Sequence, residues 1–273
     1  MPPTLSAYSG SGELLKYFDN VKTGPGVWKA RHYFDVYERH LSRFRNQADF
    51  TFMEVGIYSG GSLRMWRDYF GPRARIIGVD ISTKTKVYEN NPQYGSPDRI
   101  LVGDQSSPTF WASALSEVGT IDAILDDGGH ESYMQNATLE AVWPRLRPGG
   151  VYLTEDLSEL NREYWRGVAE RFVLGSGGMN RFHPVAKDCD WKHGYSIRRH
   201  PRKGCWQRPR NADQVETAAV TFHPGMLVLE KYAYNASAGL RVDMHGDQWQ
   251  PPLKAKLNKH TGRVEETFRR RAR

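Results

Sequence analysis

The chain has 273 residues, 39% hydrophobic and 12% aromatic, with a net charge of +7. That is enough apolar material for one sizeable core and no stretch of it reaches membrane-span length, so a membrane protein is excluded. Two cysteines, Cys189 and Cys205, are too few for a disulfide framework, and the N-terminus lacks a basic start followed by an apolar run; a reducing cytoplasm is the expected setting.

The charge is unevenly placed. Residues 181–210 carry net +7 and residues 251–273 net +6, which leaves the remainder at −6. Basic runs of this kind read first as solvated faces or ends and second as surfaces for acidic partners. The body is therefore an acidic globular domain with a basic insertion, at about 175–215, and a basic tail.

In chain order, residues 1–27 are rich in Gly, Pro, Ser and Thr and read as a loose arm. Residues 28–44 (WKARHYFDVYERHLSRF) repeat apolar side chains at helical spacing and predict an amphipathic helix. Packing is its first expected role; a lid is the second, with Trp28 and Tyr33 near a ligand mouth. Strands are expected at 50–56, 75–82, 98–105, 121–127 and 151–157, and helices at 62–70, 108–119 and 131–146. Residues 217–232 read as two strands joined at His-Pro-Gly. Alternating strands and helices predict parallel βαβ units in one doubly wound domain spanning 28–250, with the late hairpin as an antiparallel edge.

Five successive strands end on acids or glycines: EVGIYSGGS, VDIS, GDQ, DDGGH and TEDL. In an open parallel sheet ligands bind beyond the carboxyl ends of the strands, so these endings describe one site. The first turn has no second glycine of a dinucleotide fingerprint, and Glu54 two residues before Gly56 would repel a pyrophosphate. An acid there suits a cationic ligand such as S-adenosylmethionine, which carries a sulfonium and an ammonium. Tyr58, Ser59, Gly60 and Ser62 complete the turn. Asp80, 24 residues after Gly56, suits ribose hydroxyls, and Asp104 with Gln105 suits an adenine. For each acid alone, a helix cap is the competing reading.

With this turn, VDIS and GDQ in the cofactor positions, the sequence resembles the class I S-adenosylmethionine-dependent methyltransferases. The resemblance implies a Rossmann-like, mostly parallel seven-stranded sheet. Tyr58 departs from the second glycine that many members carry.

Asp126 and Asp127 end one strand, and Glu155 and Asp156 end the expected neighbour. Four carboxylates in a small volume cost several kcal/mol unless neutralised. A hard divalent cation, Mg²⁺ or Mn²⁺, resolves the repulsion. The expected ligands are Asp127, Glu155 and Asp156, with Asp126 facing the cofactor's methionine end or orienting the loop. His130 follows two glycines; an imidazole titrating at about 6.5 can take a proton from an acidified hydroxyl. A lone histidine is more often a core or capping residue, and only its company argues otherwise.

DDGGH followed by TEDL, with 28 residues from Asp127 to Glu155, is similar to the metal-dependent macrolide-sugar O-methyltransferases of the mycinamicin and macrocin type. Cephalosporin-hydroxylase-like and rhamnosyl O-methyltransferase families share the pattern. The resemblance implies Mg²⁺ on Asp127, Glu155 and Asp156 and His130 as base. It covers about 28–165 and 217–232, and implies a vicinal diol of a natural-product sugar as acceptor. A catechol is the near alternative and nucleic acid, through the basic segments, the more distant one. A homo-oligomer is compatible with all of these.

Overall fold

The structure is a computed structural model that describes residues 12–158, 162–174, 217–233, 253–257 and 264–268. The basic insertion and both cysteines lie outside the described residues. The chain divides into two compact units, residues 1–239 and 240–273, so the expected boundary at 250 falls inside the second.

The first unit is built on one seven-stranded sheet. Its strands are β1 (Thr51–Val55), β2 (Arg75–Asp80), β3 (Arg99–Val102), β4 (Ile121–Asp126), β5 (Leu146–Thr154), β6 (Thr217–His223) and β7 (Met226–Lys231). Their order is β3-β2-β1-β4-β5-β7-β6. The first five run parallel, β7 is antiparallel to β5, and β6 is antiparallel to β7. This is the expected mostly parallel sheet with an edge hairpin. The central strands are buried along nearly their whole length, as both-face coverage requires.

Helices α1 (Glu13–Asn20), α2 (Tyr33–Leu41) and α3 (Gly61–Phe70) contribute to one aromatic-rich core, in which Phe34, Tyr37, Trp66 and Phe70 are fully buried. Helices α4 (Pro108–Val118), α5 (Ser132–Val142) and α6 (Arg162–Leu174) contribute to a second, with Trp111, Trp143, Trp165 and Phe172. The two cores divide the inward residues of the strands between them: Phe52 in one and Met53 in the other, Ile76 and Ile77 likewise. That is the period-two alternation of a strand covered on both sides.

Two expectations are corrected. Residues 13–20, read as part of a loose arm, form α1, because Leu14 and Leu15 bury themselves on the core and the Leu14 amide donates to Glu38 Oε1 at 2.9 Å. The expected helix over 28–44 starts only at Tyr33; residues 27–30 have no regular secondary structure. The helix α6 was not foreseen.

In the second unit, Leu253–Leu257 pairs antiparallel with Val264–Phe268, so part of the sequence expected as a basic tail is a β-hairpin. No helix among the described residues is long and apolar enough to cross a membrane.

The α2 helix meets the edge hairpin through a polar latch. His40 Nδ1 lies 2.6 Å from Glu230 Oε1, and His40 Nε2 lies 3.1 Å from His223 Nε2. Burial, with the His40 and Arg39 charges, pushes the His223 imidazole down. A histidine depressed in the folded state stabilises above its unfolded pKa and loses that contribution as pH falls. Between pH 8 and 5.5 the wild type is therefore expected to lose thermal stability relative to His223→Gln. The gap should open below about pH 6.5; parallel melting curves across that range would refute the latch.

Candidate active site

The carboxyl ends of β1 to β5 open into a cleft of about 910 Å³. Of the expected residues, Gly56, Tyr58, Ser59, Ser62, Asp80, Asp104, Gln105, Asp127, His130, Glu155 and Asp156 line it. Glu54, Gly60 and Asp126 are not among its lining residues.

The first turn is shaped by backbone constraints. Gly56 has φ +84°, and a Cβ there would lie 2.0 Å from the Asp127 carbonyl oxygen. The end of β1 thus lies directly on the end of β4. Tyr58 also takes a positive φ of 40°. Asp80 holds this turn: its Oδ2 accepts from the amides of Ile57 (3.2 Å) and Tyr58 (3.0 Å), and its Oδ1 from Ser82 (2.8 Å). Asp80 thus holds a turn and not a helix end, and its carboxylate borders the cleft. Asp104 likewise caps its own turn through the Ser106 amide at 2.8 Å, which holds its carboxyl below the ordinary range.

Gln105 ties the end of β3 to the DDGG loop. Its Nε2 donates to Asp126 Oδ1 and Thr138 Oγ1, both at 3.1 Å, and its Oε1 accepts from the Gly129 amide at 2.7 Å. Asp126 is fully buried, with Tyr152 donating to its Oδ2 at 3.2 Å. Burial raises its carboxyl to about 6 despite these bonds. Its contacts fit the loop-orienting expectation, not the one in which it faces the methionine end.

The next acids meet a residue that sequence reasoning missed. Lys29, whose side chain is 2% exposed, projects its ammonium between three carboxylates. It donates to Asp127 Oδ2 and, at 3.3 Å, to Glu155 Oε2; Glu54 Oε1 lies at 3.3 Å. Burial alone would lower the lysine, but Glu155, Glu54 and Asp127 outweigh it and hold it charged. Burial pushes Glu155 well up, and Glu54 up, against the pull of the ammonium. Tyr37 donates to Glu155 Oε1, and Ser62 to Glu54 Oε2 at 2.7 Å. The signal available in sequence was a lysine between glycines and an aromatic helix, close in the chain to nothing acidic.

Asp156 and His130 sit outside this knot, both with positive φ (55° and 57°). Tyr33 donates to Asp156 Oδ1 at 2.8 Å, and His130 Nε2 is 3.5 Å from Asp156 Oδ2. Asp127, His130 and Asp156 each place a donor atom within 4.8 Å of the others. The expected trio Asp127, Glu155 and Asp156 is thus split between two clusters that share Asp127. Trp28 and Tyr58, 84% and 72% exposed, stand edge to face at 6.4 Å on the rim, so Trp28 is not a packing residue.

The hard oxygen donors fit a divalent cation. One ammonium among Glu54, Asp127, Glu155 and the adjacent Asp156 leaves negative charge to be balanced, and the donors include no thiolate. A cationic cofactor would meet the same negative charge from the cleft side, where Asp127 and Asp156 remain accessible.

Comparison with known proteins adds the following. A family described as a methyltransferase domain matches residues 53–157. The chain is 30% identical over 227 residues to the 8-demethyl-8-alpha-L-rhamnosyl tetracenomycin-C 2'-O-methyltransferase of Streptomyces olivaceus, covering 81% of this chain and 55% of the relative. It is 34% identical to the demethylmacrocin O-methyltransferase of Streptomyces fradiae, over 59% of this chain and 39% of the relative. Against the mycinamicin VI 2''-O-methyltransferase of Micromonospora griseorubida it is 35% identical, over 57% and 37%. The chain spans about half the length of the first relative and less of the others. Among solved structures it resembles the MycE methyltransferase of mycinamycin biosynthesis in complex with Mg and SAH. There the TM-score is 0.53 at 24% identity, covering 81% of this chain and 54% of that one. The fold is shared.

Gly56→Ala places a side chain on the Asp127 carbonyl and strains a left-handed residue. It should cost at least about 2 kcal/mol in a urea melt and abolish cofactor binding in calorimetry; a wild-type midpoint would show that the two strand ends are not locked together.

Proposed function

We propose, on the premise that this chain carries a class I S-adenosylmethionine methyltransferase domain, that it transfers a methyl group to a hydroxyl of a small-molecule acceptor. The acceptor class is a vicinal diol, as in the sugar of a glycosylated natural product. The observation that carries this reading is the cluster of Asp127, His130 and Asp156 at the mouth of the cofactor cleft. Relatives named for methylating rhamnosyl, macrocin and mycinamicin acceptors support it.

Glu54 is fully buried with its Oε1 3.3 Å from the Lys29 ammonium, so its cationic partner is Lys29 and it acts on the cofactor wall only through that lysine. Gly56, Tyr58, Ser59 and Ser62 shape the wall beside it. Asp127 and Asp156, with Glu155 behind them, would hold a divalent cation, magnesium by donor type. When bound, the cofactor would supply the methyl group and a divalent ion would lower the pKa of an acceptor hydroxyl.

The chain's own residues do the rest. The His130 imidazole accepts the hydroxyl proton, and Asp156, whose Oδ2 lies 3.5 Å from Nε2, stabilises the imidazolium that results. Tyr33, by holding the other oxygen of Asp156, keeps that carboxylate turned toward the histidine. Trp28 and Tyr58 offer exposed aromatic faces to the apolar part of an acceptor. Two cysteines in 273 residues remain consistent with a reducing cytoplasm.

His130→Ala should lower kcat by about 10²–10⁴-fold with cofactor affinity unchanged, measured by steady-state kinetics and calorimetry; loss of cofactor affinity would contradict the assignment. A mass-spectrometric screen of glycosylated and catecholic acceptors should show addition of one methylene unit. That product should disappear in EDTA and return with Mg²⁺. Turnover that persists in EDTA would remove the metal from the reading.

A further inference from the structure

Lys29 is carried into the site by a segment with several attachments of its own. Pro25 and Gly26 turn their carbonyl oxygens onto Gly61, where an added Cβ would lie 2.5 and 2.4 Å from them. Three residues later Lys29 reaches Glu54, Asp127 and Glu155; Tyr33 then bonds Asp156 and Tyr37 bonds Glu155. One short stretch thus delivers a cation and two phenols to acids at the ends of β1, β4 and β5. Each oxygen that Lys29 does not touch on Glu54 and Glu155 already has a hydroxyl donor. On those two residues the oxygens left for a cation are the ones that the ammonium approaches, and on Asp127 it takes Oδ2.

Resting on the metal reading above, we propose that the Lys29 ammonium is a tethered stand-in for the divalent ion: in the metal-free protein it occupies Asp127 Oδ2 and Glu155 Oε2, and metal entry displaces it. The physical basis is mutual exclusion. A buried ammonium and a divalent ion on the same carboxylate oxygens repel each other, whereas each alone relieves the repulsion between Asp127 and Glu155. Lys29 thereby keeps the pocket assembled without metal, and it lowers the affinity with which metal binds. It is a positioning residue, acting through the acids.

The test compares wild type, Lys29→Met, Lys29→Gln and Lys29→Arg by thermal melting in EDTA, then with Mn²⁺, and by calorimetric titration with Mn²⁺ alone. In EDTA the Met and Gln variants should melt below wild type, and Mn²⁺ should restore most of the loss. Both should bind Mn²⁺ at least about tenfold tighter, a change of 1.4 kcal/mol, while the Arg variant, which keeps the charge, stays near wild-type affinity. A melting loss that Mn²⁺ does not repair, or unchanged affinity in the Met and Gln variants, overturns the proposal. So does failure of both to fold in the presence of Mn²⁺. Mn²⁺ bound equally by wild type and variants, without rescue, removes this proposal and leaves the metal reading standing. Mn²⁺ bound by the Met and Gln variants but not by wild type overturns displacement in the wild type and removes the metal from its reaction. No binding to any of them ends both.

Discussion

Carboxylates crowded at the ends of neighbouring parallel strands set the terms for everything around them. Parallel pairing delivers all five strand ends to one edge of the sheet, and here Glu54, Asp127 and Glu155 arrive within reach of a single ammonium. Such charges, buried away from water, are tolerated only with cations or hydrogen-bond donors close at hand. The Lys29 segment, the phenols of Tyr33 and Tyr37 and the Ser62 hydroxyl are the response of this sequence to that demand. The segment before α2 is irregular for the same reason. A helix beginning at Trp28 would fix Lys29 on a helical surface instead of in the knot.

The acids that line or border the cleft divide into two groups by what they bond. Asp80, Asp104 and Asp126 spend their oxygens on amides, on Gln105 and on Tyr152, and so build the loops that form the walls. Asp127 and Asp156 remain half-open to the cleft. Adjacent residues of a strand point to opposite faces, so Asp126 and Asp127 could not share one task. The first is driven into the core, where burial raises its carboxyl toward neutrality. The second meets the ammonium.

The sheet and most of its boundaries were legible because buried parallel strands are apolar runs, and each here stops at an acid or a glycine. The antiparallel edge was legible from His223-Pro224-Gly225. Helix α1 was not, since the Gly and Ser around it outweigh Leu14 and Leu15 in composition, and only the core they reach explains them. The site was legible as a set of acids and a histidine but not as an arrangement. Acids at adjacent strand ends call for a cation, and no lysine or arginine stands in the DDGGH and TEDL patterns that mark Asp127 and Glu155. The chain holds one of its own, 98 residues before Asp127, and pattern reading along the sequence has no access to such a pairing. Glu155 was accordingly grouped with Asp156, whereas the fold sets it deeper, against Tyr37.

That depth follows from register. Asp126 pairs with Thr154, so one step further Asp127 and Glu155 come side by side, which is why one ammonium can serve both. By continued alternation Asp156 would turn to the opposite face, away from them. The left-handed φ of 55° at Asp156 reverses that turn, and the matching 57° at His130 swings the imidazole back from the glycine loop. Aspartate and histidine are among the few side chains that enter this region at modest cost. The chain gives up regular backbone at two positions and gains a carboxylate and an imidazole facing each other in the cleft, on the open side of a cluster whose buried side already holds the Lys29 ammonium. Strain at those two residues and charge compensation at the lysine are therefore parts of one construction. The first brings Asp156 and His130 to the cleft, and the second sets a cation against Asp127 and Glu155 where their strands end.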